Sequence, residues 1–253
     1  MPPVPPAVRR LFDAHVGLRV VIDAALEGRL GTVRGYGATA ARVSLGCYHI
    51  LGGAASRAAL DHLLPDADLG PGVELVPPHD PGWLDALHDR FGARLLERPM
   101  RTFSSAPLTT DRLSTFVESL PAGYALRALD APLAAQLGPA LAPHGLQSHP
   151  STEAMLSSAP AFGVLHGDRL VAACTPYARS AGGVEIAVST HVDHRGRGLA
   201  GGVAAALARW CLAQGLHPAW TAANPISKRL ALRLGYGVGP LVDGFILREV
   251  PHV

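Results

Sequence analysis

The sequence contains little charge, few aromatic side chains and few cysteines. Charged residues make up 17% and aromatic residues 6% of its 253 positions, and 22 basic against 20 acidic side chains give a net charge of +2. Nucleic-acid backbones are bound by dense basic surfaces, so this near balance argues against a nucleic-acid partner. No apolar run reaches the roughly 18 residues of a membrane span, and no signal-peptide pattern opens the sequence. We therefore expect no membrane partner and a cytoplasmic location.

The three cysteines, Cys47, Cys174 and Cys211, are far apart and form no Cys-x-x-Cys pair. Neither a disulfide framework nor a thiolate zinc site is predicted, and the cysteines are expected to be small buried apolar residues. Apolar residues make up 48% of the sequence. The chain can therefore bury a sizeable core in one large or two modest domains.

A turn signal at residues 121–123, Pro-Ala-Gly, separates two parts with different orders of predicted elements. We predict an N-terminal α/β domain over residues 1–121 and a second domain over residues 122–253. No internal repeat is visible. Apolar spacing and turn residues predict the following elements in the first part: helices over Ala7–Leu26, Ser56–Leu64 and Thr110–Leu120, a helix from Pro81 capped by Asp80, and strands over Ala41–Ile50 and Val73–Val76.

The second part is predicted to begin with a strand, two helices and a hairpin that turns at Gly167-Asp168. A further strand, a long helix and another strand then imply a parallel crossover. The predicted strands are Tyr124–Leu129, Phe162–His166, Leu170–Thr175, Val184–Ser189, Pro218–Ala223 and Phe245–Val250, and the predicted helices are Pro132–Leu141, Ser151–Ser158, Gly198–Gly215 and Pro225–Leu234.

The strongest local motif is Arg195-Gly196-Arg197-Gly198-Leu199-Ala200, between a predicted strand and a predicted helix. Glycines at such a junction let backbone approach a ligand closely, and the helix start offers unpaired amides and a positive dipole end. Together these features favour binding of pyrophosphate. Taken alone, the motif is equally compatible with a glycine-rich loop that only begins a helix.

A second motif, Asn224-Pro225-Ile226-Ser227, follows the next strand and opens the next helix, which stops at Gly235-Tyr236. The ordered pair of motifs resembles the GNAT superfamily of acyl-CoA-dependent N-acetyltransferases, closely over Val184–Tyr236 and more loosely from Tyr124. The resemblance implies an α/β fold with a mixed, largely antiparallel sheet flanked by helices. Residues 1–121 would be an additional N-terminal domain that shapes or covers the acceptor pocket.

The resemblance implies acetyl-CoA as the acyl donor, with its arm between two splayed parallel strands. Backbone groups of Val188, Ser189 and Thr190 would bind the pantetheine arm. The loop and helix start would bind the pyrophosphate, and Asn224 would contact the cofactor besides capping its helix. The implied pyrophosphate-binding residues are Arg195, Gly196, Arg197, Gly198, Leu199, Ala200 and Gly201.

Glu185 is the candidate general base, because burial on a central strand could tune its pKa toward neutrality. The alternative is a buried ion-pair partner. Many GNAT enzymes carry a tyrosine seven positions after the asparagine that protonates the leaving thiolate, but Ala231 stands there. Ser227 is the favoured replacement, and Tyr236 is the second candidate, although it fits packing better.

His191 and His194 could relay a proton through water, or hold a metal because they are three residues apart. No carboxylate or thiolate ligands stand at a recognisable spacing, so we predict no metal site. Solvent-facing loop histidines are the alternative.

The leading functional prediction is an N-acetyltransferase that acts on a small-molecule amine by direct attack. A non-catalytic acyl-CoA-binding or sensing protein is the alternative, because the usual tyrosine is missing while the cofactor motif is intact. A dinucleotide-binding oxidoreductase is disfavoured, since the glycine motif lacks the Gly-x-Gly-x-x-Gly spacing and follows antiparallel elements. The oligomeric state cannot be read from the sequence.

Overall fold

Two β-sheets flanked by helices form the protein, as seen in a computed structural model that describes residues 4–15, 17–70, 72–138, 141 and 148–248. Short 3₁₀ turns cover Asp66–Asp68, Gly92–Arg94 and Val192–His194. The helices in the described residues are α1 (Pro6–Arg10), α2 (Arg19–Leu26), α3 (Arg57–Leu63), α4 (Pro81–Phe91), α5 (Thr110–Glu118), α6 (Ala131–Ala134), α7 (Thr152–Ser158), α8 (Leu199–Ala213) and α9 (Pro225–Leu234).

The strands divide into a six-stranded and a seven-stranded sheet. The six-stranded sheet has the order β1-β2-β3-β4-β13-β5, and the seven-stranded sheet has the order β12-β6-β11-β10-β9-β8-β7. The strands are β1 (Thr32–Tyr36), β2 (Ala40–Leu45), β3 (Tyr48–Gly53), β4 (Glu74–Val76), β5 (Leu95–Glu97), β6 (Met100–Ser104), β7 (Tyr124–Ala128), β8 (Phe162–His166), β9 (Arg169–Arg179), β10 (Gly183–Thr190), β11 (His217–Ala222), β12 (Gly237–Val242) and β13 (Phe245–Leu247).

The two sheets repeat one topology. Three antiparallel strands in the first sheet, and four in the second, are followed by a helix, a strand parallel to the last of them, a second helix and an outer strand. Each sheet also takes one strand from the other half of the chain. Strand β6 lies between β11 and β12, and β13 lies between β4 and β5, antiparallel to its neighbours in both cases.

A local sequence signal repeats with the topology. Asp80 caps α4 by accepting the Trp83 amide at 3.2 Å, and Asn224 caps α9 by accepting the Ser227 amide at 2.9 Å. Proline follows each capping residue, where its missing amide is tolerated. The repeat therefore consists of elements and caps, whereas the remaining side chains of the two halves differ.

Helix α2 joins the two sheets. Its residues Val20, Val21 and Ile22 are buried in one apolar cluster with Tyr177 and Ala178 of β9, and this cluster also includes side chains of β2 and β3. The two sheets thus share part of one hydrophobic core, and α2 holds the first half against the back of the second.

The prediction of the opening helix as one element is wrong. Leu18 adopts a left-handed conformation (φ +57°), which ends α-helical geometry between α1 and α2. The predicted strand over Ala41–Ile50 is a hairpin, β2 and β3, that turns at Gly46 with φ +56°. Strands β1, β5, β6 and β12 had no predicted counterpart.

The helix predicted over Pro132–Leu141 is α6, which ends at Ala134, and residues 135–138 are not helical. The other predicted elements are present with bounds shifted by a few residues, and the mixed α/β fold with largely antiparallel sheets is confirmed. Three predictions fall partly on residues outside the described ones: position 16 of the helix over Ala7–Leu26, positions 139–140 of the helix over Pro132–Leu141, and positions 249–250 of the strand over Phe245–Val250. No helix in the described residues is both long and apolar enough to cross a membrane.

The predicted boundary at residue 121 does not separate the sheets in space, because β6 precedes it and β13 follows it. Each half therefore completes the sheet of the other. Whether residues 1–121 act as a separate domain stays a prediction.

A fragment of residues 122–253 is expected to lack cooperative unfolding, because removing β6 leaves the facing edges of β11 and β12 without hydrogen-bond partners. A longer fragment, residues 98–253, retains β6 and is the matched control. Urea unfolding followed by circular dichroism compares the two. The expectation is wrong if both fragments unfold with the same midpoint and slope.

Candidate active site

The central feature of the second sheet is a parallel strand pair that separates. Gly183, Val184 and Glu185 of β10 pair with 217–219 of β11, and pairing then stops. Beyond this point β10 remains paired with β9, with a bulge at Glu185/Ile186, while β11 pairs with β6 on its other side. A slot therefore opens between β10 and β11 beyond Glu185.

The residues predicted to bind the pantetheine arm lie along this slot. Val188, Ser189 and Thr190 pair with β9 on one side, so the side that faces β11 is open. The hydroxyl of Thr190 is buried and has no hydrogen-bond partner among the described residues. Such a group costs free energy unless a ligand or water satisfies it, so the slot suits a polar ligand.

The glycine loop that follows β10 presents unpaired backbone amides. Gly196 and Gly198 have φ of +77° and +80°, which a side chain would strain. Within the described residues, the amides of 196–200 meet no hydrogen-bond acceptor, whereas the Gly201 amide donates to the Gly198 carbonyl at 2.9 Å. Since α8 is 15 residues long, its dipole adds positive potential here. The backbone geometry of the loop therefore suits an anion.

The side chains of this motif have different surroundings. Arg195 donates from Nε to the Thr190 carbonyl at 3.2 Å and, like Arg197, is exposed. Leu199 is buried in the core. Gly201 allows close packing of α8 on α5, because a Cβ there would lie 2.9 Å from the ring of Phe116. Part of the motif is thus explained by helix packing.

Across the slot, Asn224 is exposed and its side chain caps α9, so its structural role is complete without a ligand. Ser227, in the first turn of α9, accepts a hydrogen bond from the Trp220 indole at 3.0 Å. The serine hydroxyl keeps its own proton to donate, and Trp220 orients it.

Glu185 is buried, with 5% of its surface exposed, and lines a cavity of about 380 Å³. No ion-pair partner for it is found among the described residues, so the ion-pair alternative has no support. Burial raises the pKa of Glu185 to about 7, and interactions with Thr221 oppose part of this shift. Other residues that line the cavity are Leu18, Arg19, Thr102, Ser104 and His217.

Position 231, where the usual tyrosine is missing, lies in the hydrophobic core. Ala231 is fully buried, and its carbonyl accepts the amide of Tyr236 at 3.1 Å. Tyr236 is 3% exposed, and its ring lies 5.5 Å from that of Trp220. Its hydroxyl has no hydrogen-bond partner among the described residues. Burial holds the pKa of Tyr236 well above its usual range, so the hydroxyl stays protonated.

His191 and His194 are half-buried members of a cluster that includes Tyr124, His166 and Arg169. Neither histidine lines the cavity beside Glu185. No group of three His, Cys, Asp or Glu side chains within the described ranges is arranged to hold a metal ion. Sequence reasoning named these two histidines but missed the other three members, which come from three different strands.

A second cavity, of about 460 Å³, lies between α5, β8 and α8. Its lining is apolar apart from Thr110 and Arg209, and it includes Trp210. It offers no acid, base or nucleophile, so we assign it no chemistry.

The equivalent slot of the first sheet is closed by the chain itself. Gly53 of β3 accepts the Trp83 indole at 2.8 Å, and its amide donates to the Leu11 carbonyl at 2.8 Å. At the register of Glu185 stands the buried Ile50, and α3 has only seven residues, with Ser56 as its cap. This slot has no open backbone edge for a ligand.

The candidate site is thus a slot between parallel strands that separate, beside a helix start with unpaired amides. The chain belongs to the GNAT acetyltransferase family, whose match covers residues 10–239. Enzymes of this family use acyl-CoA donors. Because the match runs through both halves, it does not single out residues 1–121 as an addition to the family's fold.

Solved structures share the fold. A GCN5-related N-acetyltransferase-like protein from Streptococcus suis matches with a TM-score of 0.83 and 24% identity, covering 96% of this chain and 98% of that one. A putative GNAT acetyltransferase from Novosphingobium aromaticivorans matches with a TM-score of 0.58 and 18% identity, covering 91% of this chain and 98% of that one. A tandem GNAT protein from the clavulanic acid biosynthesis pathway matches with a TM-score of 0.57 and 14% identity, covering 93% of this chain and 91% of that one. No curated protein matches the sequence.

Tyr236→Phe is expected to raise the free energy of unfolding by about 1 kcal/mol, because it removes a buried hydroxyl without a partner. Tyr177→Phe is the matched control. The Tyr177 hydroxyl donates to the Leu45 carbonyl at 2.9 Å, and its loss should cost about 1 kcal/mol. Urea unfolding of the ligand-free proteins measures both changes. Equal losses in the two variants would show that the Tyr236 hydroxyl is satisfied.

Proposed function

We propose that the protein transfers an acetyl group from acetyl-CoA to the amine of a small molecule by direct attack. One observation carries the proposal: the slot between β10 and β11 runs from the unpaired amides of the glycine loop to the buried carboxylate of Glu185. A donor bound along the slot would have its phosphates at the loop and its acyl end near Glu185.

Residues of the second sheet suit this donor. The open side of Val188, Ser189 and Thr190 would hydrogen-bond the amide groups of the pantetheine arm. The pyrophosphate would accept hydrogen bonds from the amides of 196–200, with the charges of Arg195 and Arg197 beside it. Asn224 would contribute a contact from the other wall of the slot.

When bound, acetyl-CoA supplies a thioester carbonyl to which the amine nitrogen bonds as the carbon–sulfur bond breaks. Glu185 accepts the proton that the nitrogen loses, and its raised pKa suits a base near neutral pH. Backbone amides at the open edge of β10 stabilise the charge that develops on the carbonyl oxygen. Ser227, oriented by Trp220, donates a proton to the sulfur.

The cavity beside Glu185 supports a small acceptor, since 380 Å³ is at the low end of the range of small-molecule pockets. Its charged groups are already engaged. Arg19 donates to the Phe12 carbonyl and to Asp23, and His217 pairs with the Ser105 hydroxyl at 2.6 Å. The acceptor therefore meets the carboxylate of Glu185, while Arg19 and His217 are engaged within the protein, which suits an amine without a strong anionic group.

Residues of the first half form one wall of this cavity. Leu18 and Arg19 come from the start of α2, and Thr102 and Ser104 come from β6. We propose on this basis that residues 1–121 shape the acceptor pocket. A cytoplasmic location and the lack of a nucleic-acid partner stay predictions.

A non-catalytic acyl-CoA-binding protein is the second candidate, and the alanine at position 231 favours it. Glu185 distinguishes the two, because a binding protein has no need of an unpaired buried carboxylate in a cavity next to the slot. Acetylation of any amine at a rate that depends on Glu185 would exclude the second candidate.

Acetyl-CoA is expected to bind with a dissociation constant on the order of micromolar. One molecule should bind per chain, because the slot of the first sheet is closed. Gly198→Glu should abolish binding by placing a carboxylate at the anion site, while Gly198→Gln bears the same backbone strain without the charge and should lose much less. Titration calorimetry measures both. Absence of binding to the unchanged protein would overturn the proposed function.

The rate of acetylation, as kcat/KM, is expected to rise about tenfold per pH unit below pH 7 and to level off above it, because Glu185 must lose its proton to act as base. Glu185→Gln should lower the rate by about 10²- to 10⁴-fold and remove this pH dependence. The control is Glu74→Gln, at a buried carboxylate that pairs with Arg98 in the first sheet. This variant should keep both the rate and its pH dependence.

Folding provides a check on the same variant. The raised pKa means that the folded state favours the protonated Glu185, so stability falls as pH rises from the unfolded-state pKa through about 7. Glu185→Gln should therefore match the unchanged protein in stability at pH 5 and exceed it at pH 8.

If the Glu185→Gln variant keeps the pH dependence of kcat/KM, Glu185 is not the base.

A further inference from the structure

A cluster of basic and aromatic side chains lies at the end of the second sheet, outside the residues assigned above. The Tyr124 hydroxyl is 3.0 Å from Nδ1 of His194, and the His194 ring lies 5.4 Å from that of His166. The Arg169 guanidinium is 2.9 Å from Nε2 of His191, and the rings of His191 and His194 are 6.0 Å apart. We call these five residues the histidine cluster.

The histidine cluster has an excess of positive charge. Desolvation lowers the pKa of His194, and the neighbouring His166, Arg197, His191 and Arg169 lower it further. The acidic groups nearby are Asp193, whose carboxylate lies 3.5 Å from His191 and is largely exposed, and the exposed Asp168 beside Arg169. Neither forms an ion pair with an arginine of the cluster or loop. The surface therefore suits an anion.

The histidine cluster adjoins the glycine loop directly. His194 immediately precedes Arg195, and the unpaired amides begin at Gly196. In coenzyme A a single ribose separates the pyrophosphate from a 3′-phosphate. A pyrophosphate on the loop amides therefore places the 3′-phosphate within a ribose of its position, and the histidine cluster is a basic surface that adjoins the loop through His194.

We propose that the histidine cluster binds the 3′-phosphate of the acyl-CoA donor, with Arg169 as its principal cation. The inference rests on the proposed function and adds a specificity: the protein distinguishes coenzyme A from its 3′-dephospho form. Arg169 is exposed and the one hydrogen-bond partner of its side chain among the described residues is Nε2 of His191, so its remaining N–H groups are free to bind phosphate in the bidentate manner of guanidinium groups. Tyr124 holds His194 in place beside it.

The competing position is the opposite wall of the slot, where Lys228 lies in the first turn of α9. Lysine can bind a phosphate as a point charge. Only one wall can hold the 3′-phosphate when the pyrophosphate lies on the loop, so Lys228 gives a direct comparison.

The test is titration of acetyl-CoA and of 3′-dephospho-acetyl-CoA into the full chain and its variants. The unchanged protein should bind acetyl-CoA about tenfold more tightly than the dephospho form, the size expected of one charged hydrogen-bonded contact. Arg169→Ala should reduce this ratio to about one without changing the affinity for the dephospho form, and Arg169→Lys should restore part of it. Arg127→Ala, at an exposed arginine further along β7, should leave the ratio unchanged.

Three results would overturn the inference: equal affinity of the unchanged protein for both ligands, an unchanged ratio in Arg169→Ala, or loss of the ratio in Lys228→Ala instead. Failure of both ligands to bind the unchanged protein would overturn the proposed function together with the inference. Tight binding of both ligands with equal affinity would leave the proposed function intact.

Discussion

The separation of β10 from β11 after three paired residues is the constraint on which the rest of the site depends. Two parallel strands that continued to pair would satisfy each other's backbone groups and leave no slot. The bulge at Glu185/Ile186 redirects β10 where pairing stops, and β11 turns its other edge to β6. The divergence leaves the inner edge of β10 open, and beside it the Thr190 hydroxyl and the amides of the loop and helix start have no partner among the described residues.

The exchange of strands explains how a chain with two similar halves has a site in only one of them. Strand β6 supports β11 as it moves away from β10, and it adds a wall to the cavity at Glu185. In the first sheet the corresponding divergence is closed by Trp83 and Leu11, which take the backbone groups of Gly53. An indole and a carbonyl thus take up backbone groups in the first sheet, where the second sheet leaves its slot open.

Glu185 shows how burial and chemistry are linked. A carboxylate without a cationic partner is costly to bury, and the cost appears as a pKa near 7. Among the described residues, the two halves provide the desolvation without the counter-charge: α2 and β6 exclude water, and the nearby Arg19 is held by Asp23. The basic side chains lie at the opposite end of the slot, where an anion is expected.

The sequence by itself determined the local elements of the site: the glycine loop, the capped helix from Pro225, the strand with Glu185 and the hairpin at Gly167. Each depends on short-range rules of capping, turn conformation and apolar spacing, which neighbouring residues specify. The tertiary structure decided three further features. These are the exchange of β6 and β13 between the two sheets, the closing of the first slot by Trp83, and the contact between Tyr124, Arg169 and His194 in the histidine cluster. These features join residues tens of positions apart, and strand pairing across such separations depends on the packing of whole sheets, which no local pattern encodes.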